Sequence, residues 1–123
     1  MNSDQVYIAA PWVDRDRARV VSKRFEEAGF EITEKWWDRP ESTPPAECAA
    51  VDLVGIYSAD VFVLLNTQPK GFETSGKQVE FGVALELELP IILIGERTNV
   101  FHYLDEVTVV GTVEDAIHVA RQL

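Results

Sequence analysis

The chain has 123 residues and a mass of 13.8 kDa, the length of one domain, and its 46% apolar content excludes a disordered chain and allows a core without disulfide staples. Its 21 acidic side chains against 11 basic ones give a formal net charge of −10, which disfavours nucleic-acid polymers and anionic membranes as partners but leaves room for one nucleoside or nucleotide in a local pocket. The single cysteine, Cys48, cannot form an intramolecular disulfide and is expected to pack; with no basic region or long apolar run in the first five residues and no stretch of membrane-spanning length, a cytoplasmic protein is expected.

Residues 6–10 read as a first strand, stopped by Pro11, which lacks the N–H that a ladder needs. Residues 14–28 place Ala18, Val21, Phe25 and Ala28 on one helical face, and Gly29 supplies the stop. Residues 30–34 alternate as a second strand. Three prolines and several turn-forming residues make 35–45 a loop, and it carries Trp36 and Trp37. Pro44 and Pro45 suit the first turn of a helix over 46–58. A third strand at 61–65 and a loop at 66–74 lead to a helix opened by Ser75, where Gln78 three residues on completes the pattern of a capping box. A fourth strand at 89–94, a short helical or irregular piece to Leu104, a fifth strand at 107–110 and a helix at 113–122 finish the chain.

Strands alternating with helices predict right-handed βαβ units. The expected fold is therefore α/β: a single-domain, flavodoxin- or Rossmann-like three-layer sandwich around a five-stranded parallel sheet. In such sheets the ligand crevice lies outside the carboxyl ends of the strands. That rim gathers the segments after Ala10, Glu34, Leu65 and Ile94, together with the start of the helix that bears Glu80.

Two acids stand out against this frame. At 100° per residue from Glu80, Ala84 falls at about 40°, Leu87 at about −20° and Val83 at about −60°, so a carboxylate sits within an apolar stripe. Around Asp52, Cys48, Gly55, Ile56 and Ala59 cluster in the same way. A buried carboxylate is costly unless partnered, so such a position is a structural ion pair or a site. Near a helix N-terminus Glu80 is expected to be held ionised, the form that attacks the anomeric carbon of a sugar, with the second acid positioning hydroxyls or assisting the leaving group. Tyr7 and Trp12 end at the same rim. The spacing leaves open that Glu80 merely pairs with Arg15, Arg17 or Lys77 and that Asp52 is solvated.

Other chemistries fit less well. There is no Gly-x-Gly-x-x-Gly fingerprint and no Walker loop, and His102 and His118 lack partners at metal spacing, so neither a cofactor nor a metal is expected. Lys77 reads as a solvated lysine, with phosphate contact as the alternative. Trp12, Trp36 and Trp37 can stack on a base or pack internally. The Glu80 helix is also apolar on its far side through Phe81, Leu85 and Leu89, which suggests a homodimer or larger assembly.

Three segments, Tyr7 to Trp12, Asp52 to Asp60 and the Gly-x-x-x-Glu-x-Gly-x-Ala run from Gly76 to Ala84, resemble the nucleoside 2-deoxyribosyltransferases and the related nucleoside 5′-monophosphate N-glycosidases. The resemblance implies an enzyme in which Glu80 forms a glycosyl-enzyme, Tyr7 orients it, and Asp52 holds the sugar or assists at the base. Asn99 is similar to an asparagine that family members lend to the neighbouring subunit. Many of the transferases carry an aspartate six residues before the nucleophile, where this chain has Thr74; the monophosphate N-glycosidases carry a phosphate-binding hydroxyl there. Transfer of a 2-deoxyribosyl group between bases is the first expectation. Hydrolysis of (deoxy)nucleoside 5′-monophosphates, with Thr74, Ser75 and Lys77 contacting the phosphate and Gly76 among the substrate-binding residues, is the second, and a catalytically silent nucleotide-binding module is the third.

Overall fold

The structure is a computed structural model that describes residues 4–67 and 75–123. Strands β1 (Gln5–Ala9), β3 (Val61–Asn66) and β4 (Ile91–Gly95) are near-continuous apolar runs buried on both faces, as the middle of a parallel sheet demands. The short β2 (Glu31–Ile32) and the more exposed β5 (Val107–Val110) form the edges. All five strands are parallel, in the order β2-β1-β3-β4-β5, with Tyr7 opposite Phe62 and Phe62 opposite Ile91. Helices α1 (Arg15–Glu27) and α4 (Val113–Arg121) pack together on one face, and α2 (Pro45–Tyr57) and α3 (Ser75–Glu86) on the other. This is the expected three-layer α/β sandwich in a single unit. No helix among the described residues is long and apolar enough to cross a membrane.

The second strand is shorter than its alternation predicts because Phe30 belongs to the end of α1. Its N–H closes on Phe25 O at 3.0 Å and its ring meets Phe25 edge-on at 5.5 Å, while Gly29 takes φ +100°. Helix α3 ends in the same motif: Leu89 N–H donates to Ala84 O and Glu88 N–H to Leu85 O, but the left-handed position is filled by Glu88 at φ 58°. A non-glycine residue costs about 1–2 kcal/mol there, partly offset by the backbone entropy that glycine would lose. Glu88→Gly is accordingly expected to stabilise the protein by about 0.5 kcal/mol in urea unfolding, and the β-branched Glu88→Val to destabilise it.

Candidate active site

Between β1 and β3 the strand order reverses, and a crevice opens beyond the carboxyl ends of the strands at such a point. Pro11 ends β1, and a 3-10 turn at Trp12–Asp14 carries the chain over the rim. A second 3-10 turn, Trp36–Asp38, follows β2, and α3 begins after β3. Together they enclose a cavity of about 670 Å³, whose wall includes Tyr7, Trp12, Trp36, Arg39, Asp52 and Glu80.

Tyr7 points from β1 toward α3, and its hydroxyl donates to Glu80 Oε2 at 3.0 Å. Its ring is fully buried and stacks on Phe62 at 5.7 Å. Gly55 of α2 makes room for it: a Cβ there would lie 3.1 Å from Tyr7 Cδ1 and Cε1 and 2.9 Å from Glu34 Cβ. Burial, then the charges of Glu80 and Asp52, push the Tyr7 hydroxyl far above its ordinary range, so it remains a donor. Asp52 faces inward from α2, and its Oδ1 accepts from Arg39 Nη2 at 2.7 Å; the same nitrogen donates to Glu34 Oε2 at 3.1 Å. Burial and the neighbouring Asp52 raise the pKa of Glu80 to about 8, against the Tyr7 hydrogen bond and the Arg39 charge, which lower it.

This corrects the expectation that a helix N-terminus holds Glu80 ionised. Glu80 is the sixth residue of α3, beyond the first turn in which the dipole acts, and desolvation outweighs it. The inner face of α3 runs through Lys77, Phe81 and Ala84, while Val79 and Leu87 are exposed, so Glu80 lies at the edge of the apolar stripe rather than at its centre. That edge lets one carboxylate be half-buried and still face a cavity.

The other singled-out residues separate. Trp12 is 40% exposed and lines the cavity, its ring tilted 44° to Trp36 at 6.3 Å, and Arg15 lies over its outer side. Trp36 also lines the cavity, with its indole N–H donated to Ile8 O at 2.7 Å. Trp37 does not: it is buried in the core edge-on to Trp36, because the 3-10 turn sends consecutive side chains in different directions. Gly76 lines the cavity, Ser75 opens α3, and Thr74 lies outside the described residues. Asn99 lies away from the cavity; it caps the 3-10 turn Val100–Tyr103 by accepting from Phe101 N–H at 2.9 Å and donates to Gln78 Oε1 at 3.2 Å. Gln78 is thus occupied with Asn99 and His102 rather than reaching back in a capping box.

Lys77 is not solvated. It is 2% exposed, and its ammonium donates to Asn66 Oδ1 at 2.7 Å. His102 is buried edge-on against Phe81, and His118 is exposed. Among the described residues no group of three or more His, Cys, Asp or Glu side chains could hold a metal ion. Cys48, expected to pack, lines the cavity. Arg39 is the group that spacing did not mark, although two inward-facing acids on one rim call for a cation nearby.

The chain shares its fold with a CMP N-glycosidase and with a 2-deoxyribosyltransferase. It aligns with BcmB, the CMP N-glycosidase of Clostridium botulinum, at TM-score 0.66 and 18% identity, over 98% of this chain and 100% of that one. With the 2-deoxyribosyltransferase of Bacillus psychrosaccharolyticus the TM-score is 0.67 at 18% identity, over 92% and 90% of the two chains. BlsM gives 0.68 at 22% identity, over 98% and 91%. No protein-family model and no curated protein matches the sequence.

The burial of Glu80 also links stability to pH with a definite sign. Its folded-state pKa of about 8 lies above the ordinary 4.5, so between these values the native chain holds a proton that the unfolded chain has released. The resulting stability is full below about 4.5 and is lost as pH rises through about 8. Glu80→Gln cannot ionise, so its Tm relative to the parent is expected to climb across this window when both are followed by calorimetry from about pH 5 to about pH 9.

Proposed function

We propose that the protein cleaves the N-glycosidic bond of a nucleoside through Glu80 and passes the 2-deoxyribosyl group to another base. The observation that carries this reading is the Tyr7 hydroxyl on Glu80 at 3.0 Å, with Asp52 beside them, on the wall of an open cavity of about 670 Å³. In the first step a Glu80 oxygen attacks C1′, and the C1′–N bond breaks with its electron pair leaving on the base, which takes up a proton. In the second, a nitrogen of the incoming base attacks C1′, loses its proton and releases the Glu80 carboxylate. Tyr7 orients Glu80, Asp52 holds the sugar or assists at the base, and Trp12 and Trp36 offer aromatic surface to the base.

Hydrolysis of a nucleoside 5′-monophosphate is the rival reading, favoured by the likeness to a CMP N-glycosidase over 98% of this chain and 100% of that one. Water would take the place of the second base. The cations on the described cavity wall speak for the transferase: Arg39 is engaged by two carboxylates and Lys77 by Asn66, which leaves neither an obvious partner for a phosphate.

Glu80→Ala and Glu80→Gln are expected to lower turnover by about 10⁴-fold or more with the fold intact, while the parent incubated with a deoxynucleoside carries a sugar adduct on Glu80 by mass spectrometry. Retained activity in either variant would sink the assignment. Base release that needs a second free base supports transfer, and release that needs a 5′-phosphate supports the hydrolase.

The assembly we infer is a homodimer. Phe81 is buried in its own chain's core, so the far side of α3 is not the reason; the adjoining helices α2 and α3 instead leave Val51, Val54, Tyr57 and Val79 exposed, Val79 to 64%. Sedimentation is expected to give twice the 13.8 kDa chain mass for the parent and a lower mass for Val54→Asp. A monomeric parent would exclude the dimer.

A further inference from the structure

Arg39, on the cavity wall, joins α2 to the segment after β2 through one nitrogen, Nη2, which donates to Asp52 at 2.7 Å and to Glu34 at 3.1 Å. The loop that presents it is held from several directions. Trp36 donates its indole N–H to Ile8 O at 2.7 Å, Arg19 of α1 donates to Trp37 O at 3.1 Å, and Arg39 N–H donates to Trp36 O at 3.1 Å. A guanidinium only 14% exposed on so fixed a segment is a preorganised charge rather than a mobile surface arm. The charged and titratable groups that act on Glu80 are Tyr7 from β1, Asp52 from α2 and Arg39 from this loop, while Lys77, Glu41 and Cys48 also line the cavity. Of the two cations, Arg39 is the one bonded to the second acid.

We propose that Arg39 is a positioning residue for the acid pair: it pins the Asp52 carboxylate in the cavity wall and offsets its charge, so that Glu80 can ionise beside it. The proposal deepens the N-glycosidic reading and rests on it for its kinetic meaning. Its physical basis is charge balance. Asp52 near Glu80 disfavours a second negative charge, and a guanidinium bonded to Asp52 restores part of what is lost. Holding Asp52 on α2 also fixes where the second carboxyl meets a substrate, and geometry at that scale governs rate. Lysine would supply the charge with a single ammonium and no planar fork.

The test follows the side-chain carboxyl of Glu80 by NMR in the free protein, with Glu80→Gln assigning the resonance. The parent midpoint is expected at about pH 8. Arg39→Gln is expected to raise it by about one pH unit, and Arg39→Lys to bring most of that back. The acid limb of kcat/KM moves with the midpoint. An unchanged midpoint in Arg39→Gln overturns the proposal. Should that variant not fold, Glu34→Gln is compared with Arg39→Gln/Glu34→Gln, which keep Asp52 and leave one fewer carboxylate unpaired: a higher midpoint where Arg39 is replaced supports the proposal, and equal midpoints overturn it. If the parent turned over no nucleoside but the midpoints moved as stated, the nucleophile reading would fall and the role of Arg39 would stand.

Discussion

A carboxyl group withdrawn from water beside a second carboxyl group is the constraint on which the rest of the site depends. Glu80 cannot ionise there as it would in solution, and burial with the adjacent Asp52 moves its proton affinity to the physiological range. Each neighbour answers part of that cost. Tyr7, itself kept protonated by burial, donates to Glu80, and Arg39 takes up the charge of Asp52. A group that gains and loses a proton near neutral pH on a cavity wall is suited to chemistry, as a fully satisfied ion pair would not be.

The sheet makes this arrangement possible. With β1 next to β3, Tyr7 lies opposite Phe62 and beneath α3, while the segments after β1 and β3 leave toward opposite faces of the sheet and open a crevice. Two glycines allow close approaches that a side chain would block. Gly55 admits the Tyr7 ring, and Gly95, at φ +126°, lets β4 end against Asn66, whose carbonyl oxygen would lie 2.2 Å from an added Cβ. Asn66 in turn accepts from Lys77 and donates to Glu96 O, tying the start of α3 to the ends of β3 and β4. The helix that carries Glu80 is therefore fixed at its base by a buried polar cluster and along its length by Phe81 and Ala84.

The fold was legible because its signals are local. A run such as Val61 to Leu65 can be buried on both faces only as a central strand, and the spacing of Ala18, Val21 and Phe25 suits one helical face. The misjudged positions are those where local pattern competes with tertiary contact. Phe30 looks like the start of an alternating strand but closes the end of α1, and Trp37 looks like the equal of Trp36 but turns into the core. Lys77, polar and at a helix start, reads as solvated until the neighbouring Asn66 is seen.

By itself the sequence determined the alternation of strands and helices, the rim on which a crevice must open, and the presence of acids on inward-facing helical positions, because these follow from side-chain periodicity and backbone stereochemistry. Tertiary structure alone decided that Tyr7 reaches Glu80, that Arg39 bonds Asp52, and that Glu80 holds its proton to about pH 8. Those properties depend on distance and on exclusion of water between residues as far apart in the chain as Tyr7 and Glu80. Periodicity along one helix carries no record of either.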